Sequence, residues 1–388
     1  VGTLCRESRD SSSPALGKLN SSTVTWTTGG EGIDVTGDSK AKVIPLHSNS
    51  SRAAAARRAA QRADAPRRHP SLLSDPGARA TAEELAAVVR DIDRSRSFAA
   101  GGAGVDAPNE LAQRISTVAD FLRKRLTGDY RVDEFGFDPQ FNNAIVLPLL
   151  RFFFQNWFRV EVSGIENLPE SGAGLVVANH AGTLPFDGMM LSVAVHDHHP
   201  ANRDLRLLAA DLVFDMPMLG PIARKAGHTM ACSTDAHRLL AGGELTAVFP
   251  EGYKGLGKHF QDRYKLQRFG RGGFVSSALR TRAPIVPCSI IGSEEIYPMI
   301  ADVKLLARVL GLPYFPITPL FPLAGPAGLI PLPSKWHIAF GKPIETDEYD
   351  EAAADDPMVT FEITDQVRET IQQTLYQLLS QRRNMFLG

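Results

Sequence analysis

Apolar and polar positions follow two regimes along the chain, changing near residue 130. Residues 1 to about 105 are rich in Ser, Gly, Ala and Arg and lack sustained apolar periodicity, which predicts a disordered, basic Ala/Arg-rich N-terminal region. "NELAQRISTVADFLRKRL" (109–126) has apolar residues near helical spacing and predicts an amphipathic helix. Beyond it, short apolar runs alternate with helical patterns. "GLVVAN" (174–179), "LTAVFP" (245–250), "PIVPCSI" (284–290) and "KWHIAFGKPI" (335–344) read as buried strands, the first typical of one covered on both faces. "LPFDGMMLSVAV" (184–195) suits a helix, with Thr183 as N-cap and Pro185 in its first turn. Asp235–Leu240 and Gly273–Leu279 read as further helices. "DPMVTFEITDQVRETIQQTLYQLLSQRR" (356–383) opens on an Asp cap and Pro and continues as an amphipathic helix. Strands alternating with helices predict an α/β fold, a mostly parallel central sheet flanked by helices, with an N-terminal interfacial helical segment. The expected division is 1–105, 106–160 as a helical membrane-associating segment, and 161–388 as the main domain.

Composition narrows the class. A chain of 388 residues with 43% hydrophobic and 22% charged residues is an ordinary globular protein. Its net charge of -1 argues against a nucleic-acid partner. Cys5, Cys232 and Cys288 are too few and too scattered for a disulfide scaffold or a cysteine-rich zinc site, and suit a reducing compartment. The first residues, "VGTLCRESRDSSSP", show no apolar stretch of a secretory signal. A spanning helix needs about 20 apolar residues. "FNNAIVLPLLRFFFQNWF" (141–158) is shorter and interrupted by Pro148 and Arg151, and "LGLPYFPITPLFPLAGPAGLIPLP" (310–333) is too rich in proline. Both can lie on a membrane surface.

In open α/β sheets, sites form at the carboxyl ends of strands. Two strands here end in polar clusters, "VVANHAGTLPFD" and "AVFPEGYKG". A strand-end His acts as a general base when a carboxylate holds its second ring nitrogen. Asp187, near the start of the following helix, can hold His180 in that way; alternatively it only favours the helix N-terminus while His180 caps the strand. Glu251, Gly252 and Lys254 lie on a Gly-containing turn, a type of site that suits phosphate. No G-x-S-x-G elbow argues for a serine hydrolase.

Taken in order, four blocks resemble the glycerophospholipid acyltransferase family, of the lysophosphatidic acid acyltransferase type: "NHAGTLPFD", "DLVFDMPMLGPIARKAGHTMACS" (211–233), "VFPEGYKG" and "APIVPCSIIG" (283–292). The resemblance covers roughly residues 140–345. It implies that His180 deprotonates an acceptor hydroxyl, which attacks an acyl thioester, and that Asp187 orients and charge-stabilises the His. It also implies that Glu251, Gly252 and Lys254 bind the acceptor's glycerophosphate and that Ile285–Pro287 supports the acyl-donor pocket. The donor would be acyl-CoA or acyl carrier protein, used as a substrate, with no cofactor and no metal. The acceptor would be a lysophospholipid, foremost lysophosphatidic acid; the alternatives are another glycerolipid or alcohol acceptor, or a non-catalytic lipid-binding protein of the same fold. A thioester hydrolase, which would need no acceptor, is a third.

Three departures stand out. Six residues separate His180 from Asp187, where the family has four. Lys254 replaces the family's Arg, exchanging bidentate phosphate recognition for a point charge. The second block ends "HTMACS" without its usual Arg; Arg224 and Lys225 lie just upstream.

Arg268 and Arg271 of "RFGRGG" can grip a phosphate of acceptor or donor, or simply precede a helix. "HDHHP" (196–200) places His residues together without zinc spacing and reads as a loop at a helix end. Lipid substrates require docking at a bilayer, so Phe152, Phe153, Phe154, Trp157 and Phe158, with Arg151 and Arg159, make a candidate membrane contact. The expected location is peripheral (monotopic), on the cytoplasmic face of the cell membrane, with membrane lipids as partners.

Overall fold

The computed structural model describes residues 120–270 and 272–388. The basic N-terminal region and Arg271 lie outside the described residues, as does most of the helix expected at 109–126. Its last part is helical, at 120–127 (α1).

A seven-stranded sheet forms the centre. Its strands are β1 (Glu161–Ser163), β2 (Gly174–Ala178), β3 (Leu205–Ala209), β4 (Thr229–Met230), β5 (Leu245–Val248), β6 (Ile285–Ile291) and β9 (His337–Phe340), in the order β1-β9-β6-β2-β5-β3-β4. From β6 to β4 every pairing is parallel; β9 runs antiparallel to β6, and β1 runs parallel to β9. The four strands read from apolar runs are therefore β2, β5, β6 and β9. A separate two-stranded ribbon pairs β7 (Ala301–Asp302) with β8 (Pro316–Ile317).

All residues of β2 and β6 are buried, because helices cover both faces. The pleat divides them. Val176 and Ala178 face a core shared with Leu147, Leu150, Phe154 and Phe158 of helix α2 (139–157) and with Met190 and Leu191 of α3 (Phe186–His198). Leu175 and Val177 face the opposite core, built from Val275 and Ala278 of α8 (Gly273–Thr281) and Ile363, Val367 and Ile371 of α10 (Pro357–Gln381). Shorter helices complete the order: α4 (Asp211–Asp215), α5 (Leu219–Lys225), α6 (Ser233–Ala241), α7 (Tyr253–Leu256) and α9 (Lys304–Val309).

The membrane-contact reading of 151–158 needs correction. α2 contains two π-helical stretches, Asn142–Val146 and Phe153–Trp157, and packs one side against the sheet. Phe154 and Phe158 are buried there, Phe158 completely and stacked on Trp336 with ring centroids 4.6 Å apart. Phe153 and Trp157 are half-buried, and the Trp157 indole donates to Pro331 O at 2.9 Å. Arg151 forks onto Asp197 at 2.7 and 2.8 Å. Burial alone would raise the Asp197 carboxyl, but bonds from Arg151 and His196 hold it well below the usual carboxylate range. Of the seven expected contacts only Phe152 stands mostly exposed. The boundary expected at residue 160 thus falls inside one core. Among the described residues no helix is long and apolar enough to cross a membrane.

Candidate active site

β2 lies at the switch point of the sheet, with β5 on one side and β6 on the other, and its carboxyl end opens into the crevice that this topology creates. Asn179, the first residue past β2, is fully buried and bonds twice to β6: Ile290 N donates to Oδ1 at 2.7 Å and Nδ2 donates to Ile290 O at 3.0 Å. The side chain thereby extends the ladder and fixes where His180 begins.

The longer His-to-Asp spacing is taken up by two left-handed residues, Gly182 (φ +99°) and Thr183 (φ +63°). A Cβ on Gly182 would meet Ser293 O at 2.6 Å, so only glycine fits there. Thr183 is not the N-cap expected for α3; its hydroxyl donates to Tyr297 O at 3.3 Å, while the Tyr314 hydroxyl donates to Thr183 O. α3 begins one residue before Asp187, and the carboxylate turns back to the His. His180 Nδ1 meets Asp187 Oδ2 at 2.7 Å. The same oxygen accepts Ala181 N–H at 2.9 Å and Oδ1 accepts Gly188 N–H at 2.8 Å. Asp187 is wholly buried, whereas the His180 side chain is 12% exposed. Phe249 lies along the imidazole, 4.4 Å between centroids. Nε2 has no partner among the described residues. An imidazole whose Nδ1–H is held by a buried carboxylate presents Nε2 as an unprotonated acceptor, which is the form a general base needs.

Glu251 occupies a different place from that expected of a phosphate-site residue. It is 4% exposed and both oxygens serve the protein: Oε1 accepts His180 N–H at 2.9 Å, and Oε2 accepts Gln267 N–H at 2.6 Å. Beneath it the buried Lys258 ammonium lies 3.4 Å from Glu251 Oε2 and 2.9 Å from Glu294 Oε1, and also donates to Lys265 O at 3.3 Å. Burial pushes the Glu294 carboxyl up to about 7, with Lys258 opposing that rise. Glu251 therefore ties the base's main chain to a buried ionic cluster and offers no free oxygen to a substrate. Gly255 completes the support. A Cβ there would stand 2.5 Å from His180 O, so α7 can approach the His only with glycine at that position.

The other predicted binding residues are less gathered. Gly252 sits at φ +54° with open space around it, and Lys254 and Arg268 are exposed, without an ion-pair partner among the described residues. Arg268 directly follows Gln267, so it springs from the rim of the site. Arg224 lies over the Phe214 ring at 4.5 Å and Lys225 near Phe141 at 5.1 Å. Ile285–Pro287 is buried within β6 and contributes to the platform rather than to an open surface. His199 of "HDHHP" is buried and accepts Ala201 N–H, and among the described residues no group of His, Cys, Asp or Glu is placed to hold a metal ion. Lys258 and Glu294 had no motif to announce them; the signal for Asn179 was its position at the end of a buried strand.

A family model described as Acyltransferase matches residues 159–291, the stretch from β1 through β6 that carries this site. An uncharacterized protein of Mycobacterium tuberculosis is 75% identical over 92% of this chain and 99% of its own length. A lyso-glycine lipid O-acyltransferase of Phocaeicola vulgatus is 27% identical over 35% of this chain and 48% of its own. Among solved structures, the 1-acyl-sn-glycerophosphate acyltransferase PlsC of Thermotoga maritima aligns with a TM-score of 0.41 and 18% identity, over 63% of this chain and 83% of that one. The match falls on the same residues that set the strand-end His and Asp side by side, and it makes residues 159–291 of the chain an acyltransferase-family domain.

Proposed function

We propose that the protein moves a long-chain fatty acyl group from acyl-CoA, or from acyl carrier protein, to the free hydroxyl of a lysophospholipid, with lysophosphatidic acid the foremost acceptor. The observation that carries this reading is the His180–Asp187 pair, with Nδ1 engaged and Nε2 open. Nε2 takes the proton of the acceptor hydroxyl as its oxygen attacks the thioester carbonyl. Collapse of the tetrahedral intermediate breaks the carbon–sulfur bond, and the imidazolium returns its proton to the departing thiolate. Asp187 stabilises the transient imidazolium. Glu251 acts here as a positioning residue through the His180 amide, and Lys254, Arg268 and Arg271 supply positive charge for phosphate on acceptor or donor. An amphiphilic acceptor that partitions into bilayers and a thioester donor suit peripheral work at the cytoplasmic face of the cell membrane.

The second reading, an acceptor without phosphate, is favoured by two features of the sequence. Lys254 stands where the family has Arg, and the second block lacks its Arg. The name of the Phocaeicola relative supports a lysolipid acceptor other than lysophosphatidic acid.

Thiol release from a long-chain acyl-CoA, measured with lysophosphatidic acid, with other lysolipids and with no acceptor, tests the reading. Wild type should release thiol only with an acceptor, and His180→Ala should lower the rate by roughly 10²-fold or more. Equal release without acceptor would indicate hydrolysis. Equal rates for wild type and His180→Ala would remove the base.

A further inference from the structure

Between β7 and residue 334 the chain leaves the sheet in an excursion: α9, a return through β8, and a short helical turn at Gly325–Leu329. Its surface is unusually apolar. Leu305, Val309 and Leu323 are 71%, 75% and 90% exposed, and Leu310, Leu329 and Ile330 are each at least half exposed. Single exposed leucines are ordinary, but so many within one short segment mark an interaction surface. Its charge is as one-sided. Residues 303–334 contain no Asp or Glu, and their charged side chains are Lys304 and Arg308, both exposed on α9, in a chain that as a whole has 43 acidic and 42 basic residues. Apolar side chains beside two cations, with no anion among them, match a bilayer bearing anionic headgroups.

The excursion is fastened to the catalytic end of the sheet. The Tyr314 hydroxyl donates to Thr183 O in the loop between His180 and Asp187, and just ahead of β7, where the excursion departs, Met299 O accepts the N–H of Phe260 at 2.9 Å. Gly257 and Tyr314 approach so closely that a Cβ on the glycine would meet the ring at 3.0 Å.

We propose that the excursion between β7 and residue 334 is the membrane-docking face, setting Leu305, Val309 and Leu323 among the acyl chains of an anionic bilayer and Lys304 and Arg308 at its headgroups. This rests on the acyltransferase reading for its purpose, since docking there brings a lipid acceptor to the His180 crevice, but its test is independent of turnover. The face differs from the buried aromatic residues of α2, which are committed to the core.

The experiment is co-sedimentation of the full chain with vesicles of phosphatidylcholine alone and of phosphatidylcholine with phosphatidylglycerol, at low and high salt. Wild type should favour the anionic vesicles and lose part of its binding in salt. Leu305→Asp/Leu323→Asp should bind at least roughly tenfold more weakly while melting at the wild-type temperature, because each substitution removes an insertion and adds an anion. Lys304→Ser/Arg308→Ser should lose the preference for anionic vesicles. Unchanged vesicle binding by the Leu variant would overturn the proposal. So would a Leu variant that loses self-association in sedimentation velocity yet still binds vesicles, since the face would then be a contact between copies. Thiol release from a short-chain, water-soluble acyl thioester with a soluble acceptor is followed in parallel. Lost vesicle binding with retained soluble turnover supports docking. Lost vesicle binding in the variant, when even wild type shows no turnover, supports docking too and counts against the acyltransferase reading alone.

Discussion

Lys258 connects two buried carboxylates, and only one of them, Glu251, touches the main chain of the base. Removing the ammonium leaves the buried Glu251 carboxylate without its cation, and breaking a buried pair in this way costs about 3–5 kcal/mol. Lys258→Met is therefore expected to lower the melting temperature and to reduce kcat by more than it changes KM for the acyl donor, because the defect reaches His180 through its amide and not through the donor site. Lys258→Arg should retain more activity than the Met variant, because it keeps a cation beside Glu251. Equal kcat in wild type and Lys258→Met would show that His180 is held without the cluster. None of this was visible in the chain. His180 and Asp187 could be paired from their positions at the end of a buried strand and the start of a helix. Glu251 was placed in the right turn with the wrong partner, because a Glu beside Gly and Lys reads alike whether its oxygens face a ligand or the backbone.

At the scale of elements, the aromatic run of α2 shows where pattern reading stops. Phe152, Phe153, Phe154, Trp157 and Phe158 form one apolar stretch, and a helix that is apolar most of the way round suits either a membrane surface or a core. The choice depends on whether an apolar sheet face waits opposite, which local sequence does not encode. Here β2, β6 and β9 supply that face. Phe158 lies against Trp336 and, at 5.9 Å between centroids, edge-on to Phe186, the residue before Asp187. Phe158→Ala should thus behave as a core truncation, destabilising the fold by about 3–5 kcal/mol in a denaturant titration, while the folded fraction binds vesicles as wild type does. A variant with wild-type stability and impaired vesicle binding would return Phe158 to the membrane. The strands themselves were legible where both faces are buried, as in β2 and β6. β3 was not: "LRLLA" carries Arg206, which is 1% exposed and reaches Asp133 at 2.8 Å while lying over Phe137. A buried arginine inside a strand breaks the apolar run that pattern reading depends on.

For the whole molecule, strand order decides what the motifs can do. His180 follows β2, Glu251 follows β5 and Glu294 follows β6, and only the order β6-β2-β5 brings those three ends together. Crossover connections were implied by the alternation of elements, but the order was not, since parallel strands of similar composition can exchange places without changing the pattern. The same convergence couples the site to global stability. Glu294 is pushed up to about 7 in the fold, against an ordinary value near 4.5, with burial the dominant cause. Between those two pH values the unfolded chain has released this proton and the folded protein still holds it, so this group's contribution to stability falls as pH rises through the window and levels off above it. Glu294→Gln keeps a neutral, hydrogen-bonding side chain at every pH. The difference in melting temperature, variant minus wild type, should accordingly increase from pH 5 to pH 8, with most of the change complete by about pH 7. A difference that stays flat across that range, or that decreases, would mean that the Lys258 ammonium holds Glu294 ionised in the fold, and that the cluster beneath the base carries two negative charges at every working pH.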